Sequence, residues 1–399
     1  LANGVFSVLI RRGDDTNKNK TILETFTNVS LDPKAPNYVA RVIGDQTQTL
    51  QDAGTEDPYL QTTGNYPNGS RFVRVSSVNL KTPDYFDNNG VAKPAFTSSI
   101  PLAQSGAFGD ATGNITGAGA KFYSNITNLD TQGLVGTDYT TALNLLANKD
   151  DYRYNIITAP GLIYENGATQ KTALNSLVSN TENRGDAIVV MDLVGYGKTI
   201  TNTTSTAAEV DSSYVASYWP WVQITDPDSG QLVFVPASTM IPGVYANNDR
   251  TSEAWFAPAG INRGGMGNVR QAERKLTQAN RDTLYTGKVN PIATFPGRGV
   301  VVFGQKTLQT QASALDRVNV RRLLIELKGY ISQISDNLVF EQNTAATRNQ
   351  FLSQVNPYLE SVQQRQGLYA FKVVMDDSNN TADVIDRNQL VGAIYIQPT

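Results

Sequence analysis

The hydrophobic positions in the middle of the chain alternate between two spacings. Two short apolar runs, Tyr154–Ala159 and Ala187–Leu193, have the composition of buried strands. Between them, Lys171–Asn180 places Leu and Val side chains three and four positions apart, which is helical spacing. A similar helical pattern precedes them at Thr140–Leu146. Helices and buried strands joined by short loops predict a βαβ unit with parallel strands.

The first part of the chain predicts antiparallel pairing instead. Gly4–Arg12 is a short apolar run, and Thr21–Val29 alternates apolar and polar positions. Because the turn residues Gly13-Asp14-Asp15 lie between them, we expect a hairpin. Arg71–Val78 also alternates and is expected to form a strand. Residues 79–127 are rich in turn residues, with a run of glycines, and predict a variable surface insertion.

Turn residues separate the elements that follow. Tyr214–Phe234 contains the strong turn sequence Asp226–Gly230, which predicts a hairpin. Its aromatic stretch Tyr218–Trp221 is expected to pack in the core rather than against another subunit, because a hairpin needs an apolar face. Val269–Leu276 and Gln278–Leu284 are predicted to be short helices.

Helical spacing returns after residue 316. Apolar residues repeat on one face from Val320 to Ile334, and Asp316 is expected to cap this helix. Thr344 is expected to cap the next helix, and Asn356-Pro357 to break it. Strands are predicted for Val300–Phe303, for a segment ending at Phe340, for Leu368–Met375 and for Leu390–Ile396.

Together these patterns predict a multidomain chain that combines α/β and α+β folds. With 399 residues, the chain is long enough for two or three domains. We expect the N-terminal strands of a central domain in residues 1–78 and the insertion in residues 79–127. The remainder of the central α/β domain, with its β-hairpin, is expected in residues 128–252. A C-terminal α+β domain with a mostly antiparallel sheet is expected in residues 253–399.

The composition removes several kinds of chemistry. The chain has no cysteine and no histidine, which excludes disulfides, thiolate nucleophiles and every catalytic arrangement that needs an imidazole. No apolar run approaches the roughly 18 residues that a membrane-spanning helix needs. Residues 253–399 carry 16 Lys and Arg against 12 Asp and Glu, whereas residues 1–252 carry 17 against 24. The resulting net charge of −3 argues against non-specific binding of nucleic acid.

One glycine-rich loop contains part of a nucleotide-binding motif. Gly195–Thr199 reads G-Y-G-K-T after a buried strand, but the first glycine of a P-loop would fall at position 192, which is Asp192. The sequence therefore favours a flexible loop over a phosphate-binding cradle. Paired carboxylates, or Mg²⁺ held by oxygen ligands, stay open as chemistry. A cluster of three Asp or Glu side chains in a deep pocket would favour such an enzyme.

A long series of turn residues and short apolar runs begins at Trp255. In order, it reads W, A-P-A-G, R-G, R-D, L-Y, V-N-P-I, G, T-L and D-R-V-N-V-R-R. So many matches in one order resemble the C-terminal domain of the contractile tail sheath proteins of bacteriophages such as the T4-like viruses. The signature residues of this resemblance are Trp255, Pro258, Gly260, Arg263, Asn290, Pro291, Gly304, Asp316 and Asn319.

The resemblance implies a structural function. A sheath subunit forms a helical homopolymer of stacked rings around the tail tube, meets baseplate and tail terminator proteins, and contracts to drive the tube through the host envelope. No catalysis, cofactor, metal, nucleic acid partner or membrane insertion is implied. The expected location is the virion, after assembly in the host cytoplasm. A phage-derived contractile injection particle is the alternative within this class, and an α/β enzyme using carboxylates and Mg²⁺ is the alternative from another class.

Candidate contact residues lie at two places. Arg317, Arg321 and Arg322 form the main basic cluster, which is either a subunit- or tube-facing ion-pair site or the solvent face of a capped helix. Tyr395 and Ile396 lie where the family continues into a further strand and an arm that adds to a neighbour's sheet. Since this arm is not in the sequence, we expect a soluble fragment that is monomeric or weakly associating.

Overall fold

The computed structural model describes residues 4–11, 20–51, 59–96, 136–227 and 230–399. The chain divides into two compact units, Leu1–Ala120 with Asp130–Asn148 and Lys121–Leu129 with Lys149–Thr399. Most of the predicted insertion, including its run of glycines, lies outside the described residues. None of the described helices is both long enough and apolar enough to cross a membrane.

The first unit is built around a hairpin and a small apolar cluster. The elements of this unit are β1 (Val5–Arg11), β2 (Ile22–Ser30), α1 (Val39–Ile43), β3 (Thr47–Gln51), β4 (Tyr59–Thr63) and α2 (Gly136–Leu146). β1 pairs antiparallel with β2, and β3 with β4, so the hairpin predicted at the start of the chain is confirmed. Its predicted turn lies outside the described residues. Val29, Tyr38 and Ile43 are buried in the cluster between β2 and α1.

The strand predicted at residues 71–78 is wrong, because the backbone donors there have other partners. Ser70 Oγ accepts hydrogen bonds from the N–H groups of Phe72 and Val73, both at 3.1 Å. Val75 donates its N–H to the carbonyl of Gly44 at 2.8 Å. Bonds to a side chain and to a helix-end carbonyl bend the segment away from a straight ladder.

The second unit is larger and contains a five-stranded sheet. Its elements up to residue 286 are β5 (Ile156–Ile163), α3 (Ala168–Arg184), β6 (Ile188–Asp192), α4 (Ile200–Ala207), β7 (Val215–Trp219), β8 (Val222–Thr225), β9 (Leu232–Val235), α5 (Ile241–Thr251), β10 (Val269–Ala272) and α6 (Gln278–Thr286). They are followed by β11 (Asn290–Phe295), β12 (Gly299–Val302), α7 (Val318–Asp336), α8 (Ala345–Gln364), β13 (Leu368–Val374), α9 (Ala382–Asp386) and β14 (Ala393–Pro398).

The strand order of the main sheet is β12-β11-β7-β6-β5. β5, β6, β7 and β11 are parallel, which confirms the predicted βαβ unit, and β12 is antiparallel to β11. β6 and β7 are fully buried and read as continuous apolar runs because helices or other segments cover both faces. β5 continues through Pro160-Gly161, where the sequence predicted its end.

Two further sheets complete the unit. β8 pairs with both β9 and β10, so the hairpin around residues 226–230 is confirmed, with β8 and β9 as its strands. The helix predicted at Val269–Leu276 is wrong, because residues 269–272 form β10 at the edge of this sheet. β13 and β14 pair antiparallel and pack their inner face on α8.

The helices of the C-terminal part differ from prediction at three points. α8 runs without a break through Pro357, because Val355, Leu359 and Val362 on both sides of it are buried in the same apolar cluster. Phe340 ends no strand and lies exposed in a turn. Asp316 does not cap α7, since Arg317 occupies the cap position and its side chain makes no capping hydrogen bond.

The division expected at 252/253 falls inside the main sheet. β11 and β12 follow this position in sequence, and yet β11 pairs with β7, which precedes it. The chain is a multidomain protein that combines α/β and α+β folds, as the pattern predicts. The individual domain boundaries remain a prediction.

Candidate functional site

The signature residue Asn290 joins three separate backbone segments. It is fully buried at the start of β11. Its Nδ2 donates to the carbonyl oxygens of Ser217 on β7 (3.0 Å) and Lys306 (2.8 Å). Its Oδ1 accepts the N–H of Lys306 at 2.5 Å. One amide side chain therefore fixes the segment after β12 against the centre of the sheet, and it satisfies buried groups that no ladder reaches.

Pro291 and Gly304 lie against each other beside this amide. A Cβ on Gly304 would stand 2.8 Å from Pro291 Cδ and 2.9 Å from Asn290 Oδ1. These separations are shorter than any normal contact, so the position accepts only a residue without a side chain. The signature residues at these three positions thus allow the backbone at Gly304 to lie directly against Asn290 and Pro291.

A second group of signature residues shapes the turn that enters this region. Gly260 has a φ of +84°, which favours glycine, and it donates its N–H to Val302 O at 2.8 Å. Arg263 Nε donates to Ala257 O at 3.1 Å, and its guanidinium lies over the Phe256 ring. Pro258 is buried within the same turn. These residues position backbone and carry no reactive group.

Trp255 connects the turn to the C-terminal helices. Its indole is buried, and its Nε1 donates to the carbonyl of Arg365 at 3.1 Å. The Arg365 guanidinium lies 5.0 Å from the indole centre. Asn319 on α7 donates its Nδ2 to Trp255 O at 3.3 Å. The signature residues Trp255 and Asn319 are thus part of one packed region with the C-terminal end of α8.

Two of the three predicted contact arginines are internal. Arg321 is 5% exposed, donates to Ser213 Oγ and stacks 3.9 Å from the centre of the Tyr214 ring. Its burial lowers the pKa of the guanidinium, which stays a cation at neutral pH. Arg322 is 4% exposed and donates to an Asp249 carboxylate oxygen at 2.5 Å. Because both are buried, this structure corrects the expectation that they face solvent or a neighbour.

Arg317 is the member of the cluster that reaches the surface. Its side chain is 41% exposed and pairs with Asp316 at 3.1 Å. Its Nη1 also donates to the Tyr285 hydroxyl at 2.5 Å. The interface role predicted for Arg317 is compatible with this exposure and stays a prediction.

The other predicted contact site lies on β14. Tyr395 is 63% exposed on the outer face of the β13–β14 pair, and Ile396 is half-buried against the cluster below it. Since this sheet has two strands, each keeps one edge without a partner strand in the described part of the chain. Unpaired edges accept strands from other chains.

The G-Y-G-K-T loop holds carboxylates of the chain itself where a phosphate would bind in a P-loop. Gly195 donates its N–H to Glu165 Oε1, and Gly197 donates its N–H to Glu273 Oε1, both at 2.9 Å. Lys198 Nζ lies 3.2 Å from the same Glu165 oxygen. The sequence did not predict this arrangement, since Glu165 and Glu273 are far away along the chain.

Asp192 lies beside that loop, at the end of β6. It is buried, and it accepts hydrogen bonds from the Ser238 N–H (3.1 Å) and hydroxyl. Burial raises the pKa of Asp192 to about 7, although the two bonds from Ser238 oppose the shift. Burial also raises the pKa of Glu273. Over the described ranges, no group of three or more acidic side chains is placed to hold a metal ion.

Two family models match successive parts of the chain. The model described as phage tail sheath protein central domain matches residues 132–308. The model described as phage tail sheath C-terminal domain matches residues 310–399, and together the two cover about two thirds of the chain. The chain belongs to the phage tail sheath family.

Known phage tail sheath proteins share sequence with the chain over long stretches. The tail sheath protein of Vibrio phage KVP40 is 30% identical over 353 residues, which is 81% of this chain and 49% of that protein. The tail sheath protein of Enterobacteria phage T4 is 38% identical over 197 residues, which is 49% of this chain and 29% of that protein. The chain therefore spans about half the length, or less, of these relatives.

The sheath fold also occurs in a solved assembly. The cryo-EM structure of the anti-feeding prophage helical sheath in its contracted state superposes with a TM-score of 0.53 and 22% identity. The match covers 67% of this chain and 72% of that one. At this identity the match supports a shared fold, in agreement with the α/β and α+β class.

Proposed function

We propose that the chain is a structural subunit of a contractile phage tail sheath. It polymerises with copies of itself around the tail tube, and contraction of the polymer drives the tube through the host envelope. The observation that carries this proposal is the succession of both sheath family models along the chain. The location that follows is the virion, after assembly in the host cytoplasm.

The partners of the proposed subunit are other copies, the tail tube protein, and the baseplate and tail terminator proteins. The β13–β14 pair supports contact between copies, because in the described part of the chain each strand has one edge without a partner, and such an edge can accept a strand. Tyr395 is our candidate contact on its exposed face, and Arg317 is the candidate on the surface near α7.

We further propose that the protein performs its work without catalysis. New contacts between subunits would supply the free energy of contraction, as in other systems with two packings of one chain. The glycine-rich loop supports this view, since Glu165 and Glu273 already occupy its backbone donors. Contraction of assembled sheaths should therefore need no nucleotide.

Electron microscopy of the full-length gene product, expressed with and without its tail tube protein, tests the proposal. We expect tubes wider than the bare tail tube when both proteins are present. A product that stays dispersed beside bare tail tubes would contradict the proposal. Tyr395→Glu should shorten or abolish the wider tubes, whereas Tyr59→Glu, an exposed tyrosine of the first unit, is the matched control.

The anti-feeding prophage match supports a second candidate, the sheath of a phage-derived contractile injection particle. We prefer the phage tail because the phage relatives have higher identity, 30% and 38% against 22%. Particles purified from the natural source distinguish the two. Sheathed tails joined to DNA-filled heads support the phage tail, and headless particles support the alternative.

A further inference from the structure

A groove of about 650 Å³ opens beside the signature residues Gly260, Pro291 and Gly304. Two aromatic side chains, Tyr285 and Phe303, line it, and Phe303 is 42% exposed. The Phe303 ring packs against Phe295 with ring centres 5.0 Å apart. The groove therefore has a rigid aromatic wall, and its volume is large enough for a bulky apolar side chain.

Cationic side chains lie against these aromatic rings. The Arg281 guanidinium lies 5.3 Å from the Phe295 ring centre and 5.6 Å from that of Phe303. Lys306 Nζ lies 4.9 Å from the centre of the Tyr285 ring, and Arg317 bonds the Tyr285 hydroxyl.

Two carboxylates, Asp282 on the rim and Asp316 bound by Arg317, offset part of this charge. The residues around the groove thus carry a small net positive charge. Within the described part of the chain, Arg281 and Lys306 form no ion pair. The site consequently fits an apolar side chain that is followed by a carboxylate.

A loop with this chemistry lies at the end of α7. Phe340 is fully exposed there, and Val339 beside it is 57% exposed. Exposed carboxylates flank them at Asp336 and Glu341, and neither forms an ion pair with any described residue. Aromatic side chains of this size are seldom left wholly in water, so the loop has the character of an unfilled contact.

The backbone of the loop supports the same interpretation. Phe340 has a φ of +73°, which is unusual for a bulky residue. This conformation follows the end of α7, where Leu338 is buried and donates its N–H to Ser335 O at 2.9 Å. Burial of Leu338 fixes the loop below, while the Phe340 side chain stays fully exposed. A strained, outward aromatic side chain is typical of a recognition element.

We propose that Val339–Glu341 of one copy docks in the groove of a second copy. Phe340 enters between Tyr285 and Phe303, and Glu341 pairs with Lys306. Charge complementarity selects the occupant, since an acidic apolar loop meets a basic aromatic groove. The loop and the groove are different patches, so the contact is head-to-tail and can repeat along a polymer. This inference rests on the proposed function in that copies of the chain associate.

Crosslinking between two populations of the chain tests the contact. The chain has no cysteine, so single substitutions give unique attachment points. Gln342→Cys lies beside the loop, and Gln278→Cys lies on the rim of the groove; both positions are exposed. We expect a short bismaleimide to join this mixed pair at least about fivefold faster than Gln342→Cys mixed with Gln311→Cys, an exposed glutamine outside the groove. Equal rates for the two pairs would overturn the proposal.

Charge reversal tests the pairing itself. Lys306→Glu and Glu341→Lys should each lower the crosslinking rate severalfold, and their combination should restore it. Phe340→Ala should lower the rate further, by about tenfold or more, since it removes the buried ring. Failure of the combined variant to recover, with thermal unfolding unchanged, would contradict the Glu341 pairing. Crosslinks from the loop to tail tube protein alone would assign the loop to another partner and overturn the inference.

Electron microscopy of the same mixtures separates this inference from the proposed function. Wide tubes without the specific crosslink would leave the function standing and reject the contact. A specific crosslink without wide tubes, in the presence of tail tube protein, would leave the contact standing and reject the function.

Discussion

The carboxyl end of the main sheet and the outer C-terminal layer, residues 337–399, differ in where their side chains find partners. At the sheet end, Glu165 and Glu273 bind backbone donors of the same chain, and Asp192 binds Ser238. In parallel α/β sheets this edge is the usual position of a ligand site. Here its carboxylates already accept hydrogen bonds from donors of the same chain.

The outer layer has the opposite character. The β13–β14 pair keeps unpaired edges in the described chain, and Phe340 lies fully exposed at the end of α7. The difference teaches that the potential for contact in this molecule lies at its exposed edges and loops. The inner region supplies a rigid support for them.

Removal of a buried arginine should have the largest effect on stability. Arg322→Met leaves Asp249 without its cation and removes the guanidinium from the Tyr245 ring, so we expect the free energy of unfolding to fall by about 3 kcal/mol. Arg317→Met is the control at the exposed end of the cluster and should cost less than about 1 kcal/mol. Urea denaturation measures both. Similar losses in the two variants would break the distinction between inner and outer arginines.

The pH dependence of stability should show the titration of the Asp192 carboxyl group. Its pKa is about 7 in the fold against a usual value of 3.8, so the folded state binds the extra proton between these values. Its contribution to stability is therefore present at low pH and is lost as the pH rises through 7. Between pH 5 and pH 8 we expect a loss of about 2–3 kcal/mol from this group.

Asp192→Asn is the matched variant for this experiment, because an amide oxygen can still accept from Ser238. It should be more stable than the original chain at pH 8 and should lack this part of the pH dependence. Denaturation midpoints at pH 5 and pH 8 provide the measurement. An unchanged slope in the variant would show that Asp192 is ionised throughout, and that the sheet end is less dry than its burial indicates.

The close approach at Gly304 should tolerate no side chain. Gly304→Ala places a Cβ 2.8 Å from Pro291 Cδ and 2.9 Å from Asn290 Oδ1, and we expect a loss of about 2 kcal/mol because the proline ring and the hydrogen-bonded amide cannot give way. Gly243→Ala, within α5, has open space around its Cβ and should be neutral or stabilising by up to about 1 kcal/mol. Chevron or denaturant measurements give the change in stability of both variants. The result for Gly304→Ala reports on packing, and the result for Gly243→Ala reports on helix propensity.

The smallest predicted effect concerns a helix cap in the outer layer. Thr344 Oγ1 accepts the N–H of Thr347 at the start of α8, so Thr344→Ala should cost about 1 kcal/mol. Thr381 has the same position before α9 without a capping bond, and Thr381→Ala should change stability by less than about 0.5 kcal/mol. Thermal unfolding compares the pair. Equal shifts would mean that the cap bond contributes nothing measurable to the outer layer.

Local patterns predicted elements whose partners are close along the chain. The parallel pair β5–β6 and the helix between them follow from apolar runs at buried spacing. The hairpin β8–β9 follows from its turn residues. In these cases, the pattern that forms the element also determines its neighbour.

The errors arise where distant residues decide. Residues 269–272 become a strand because β8, more than 40 positions earlier, offers its edge. Pro357 stays inside α8 because its neighbours pack in a common core, which outweighs the lost hydrogen bond.

The candidate site shows the same limit. The resemblance marked Asn290, Pro291 and Gly304, but the sequence did not indicate that they meet at one point. The sequence pattern predicts an interface or a solvent-facing position for Arg321 and Arg322, whereas both are buried. The aromatic rings of Tyr214 and Tyr245, with Asp249, provide the buried partners that periodicity alone does not reveal.

The side-chain hydrogen bond from Asn290 to Ser217 has a consequence for folding during synthesis. The two residues are 73 positions apart, and β7 gains its outer neighbour only when β11 has been synthesised. At about 5–20 residues per second, a ribosome needs several seconds to make that stretch. During this time one edge of β7 in the emerging chain has no partner strand. This edge can pair with other nascent copies nearby. Translation pauses between β7 and β11 should therefore lower the yield of folded protein, whereas pauses after β12 should be harmless.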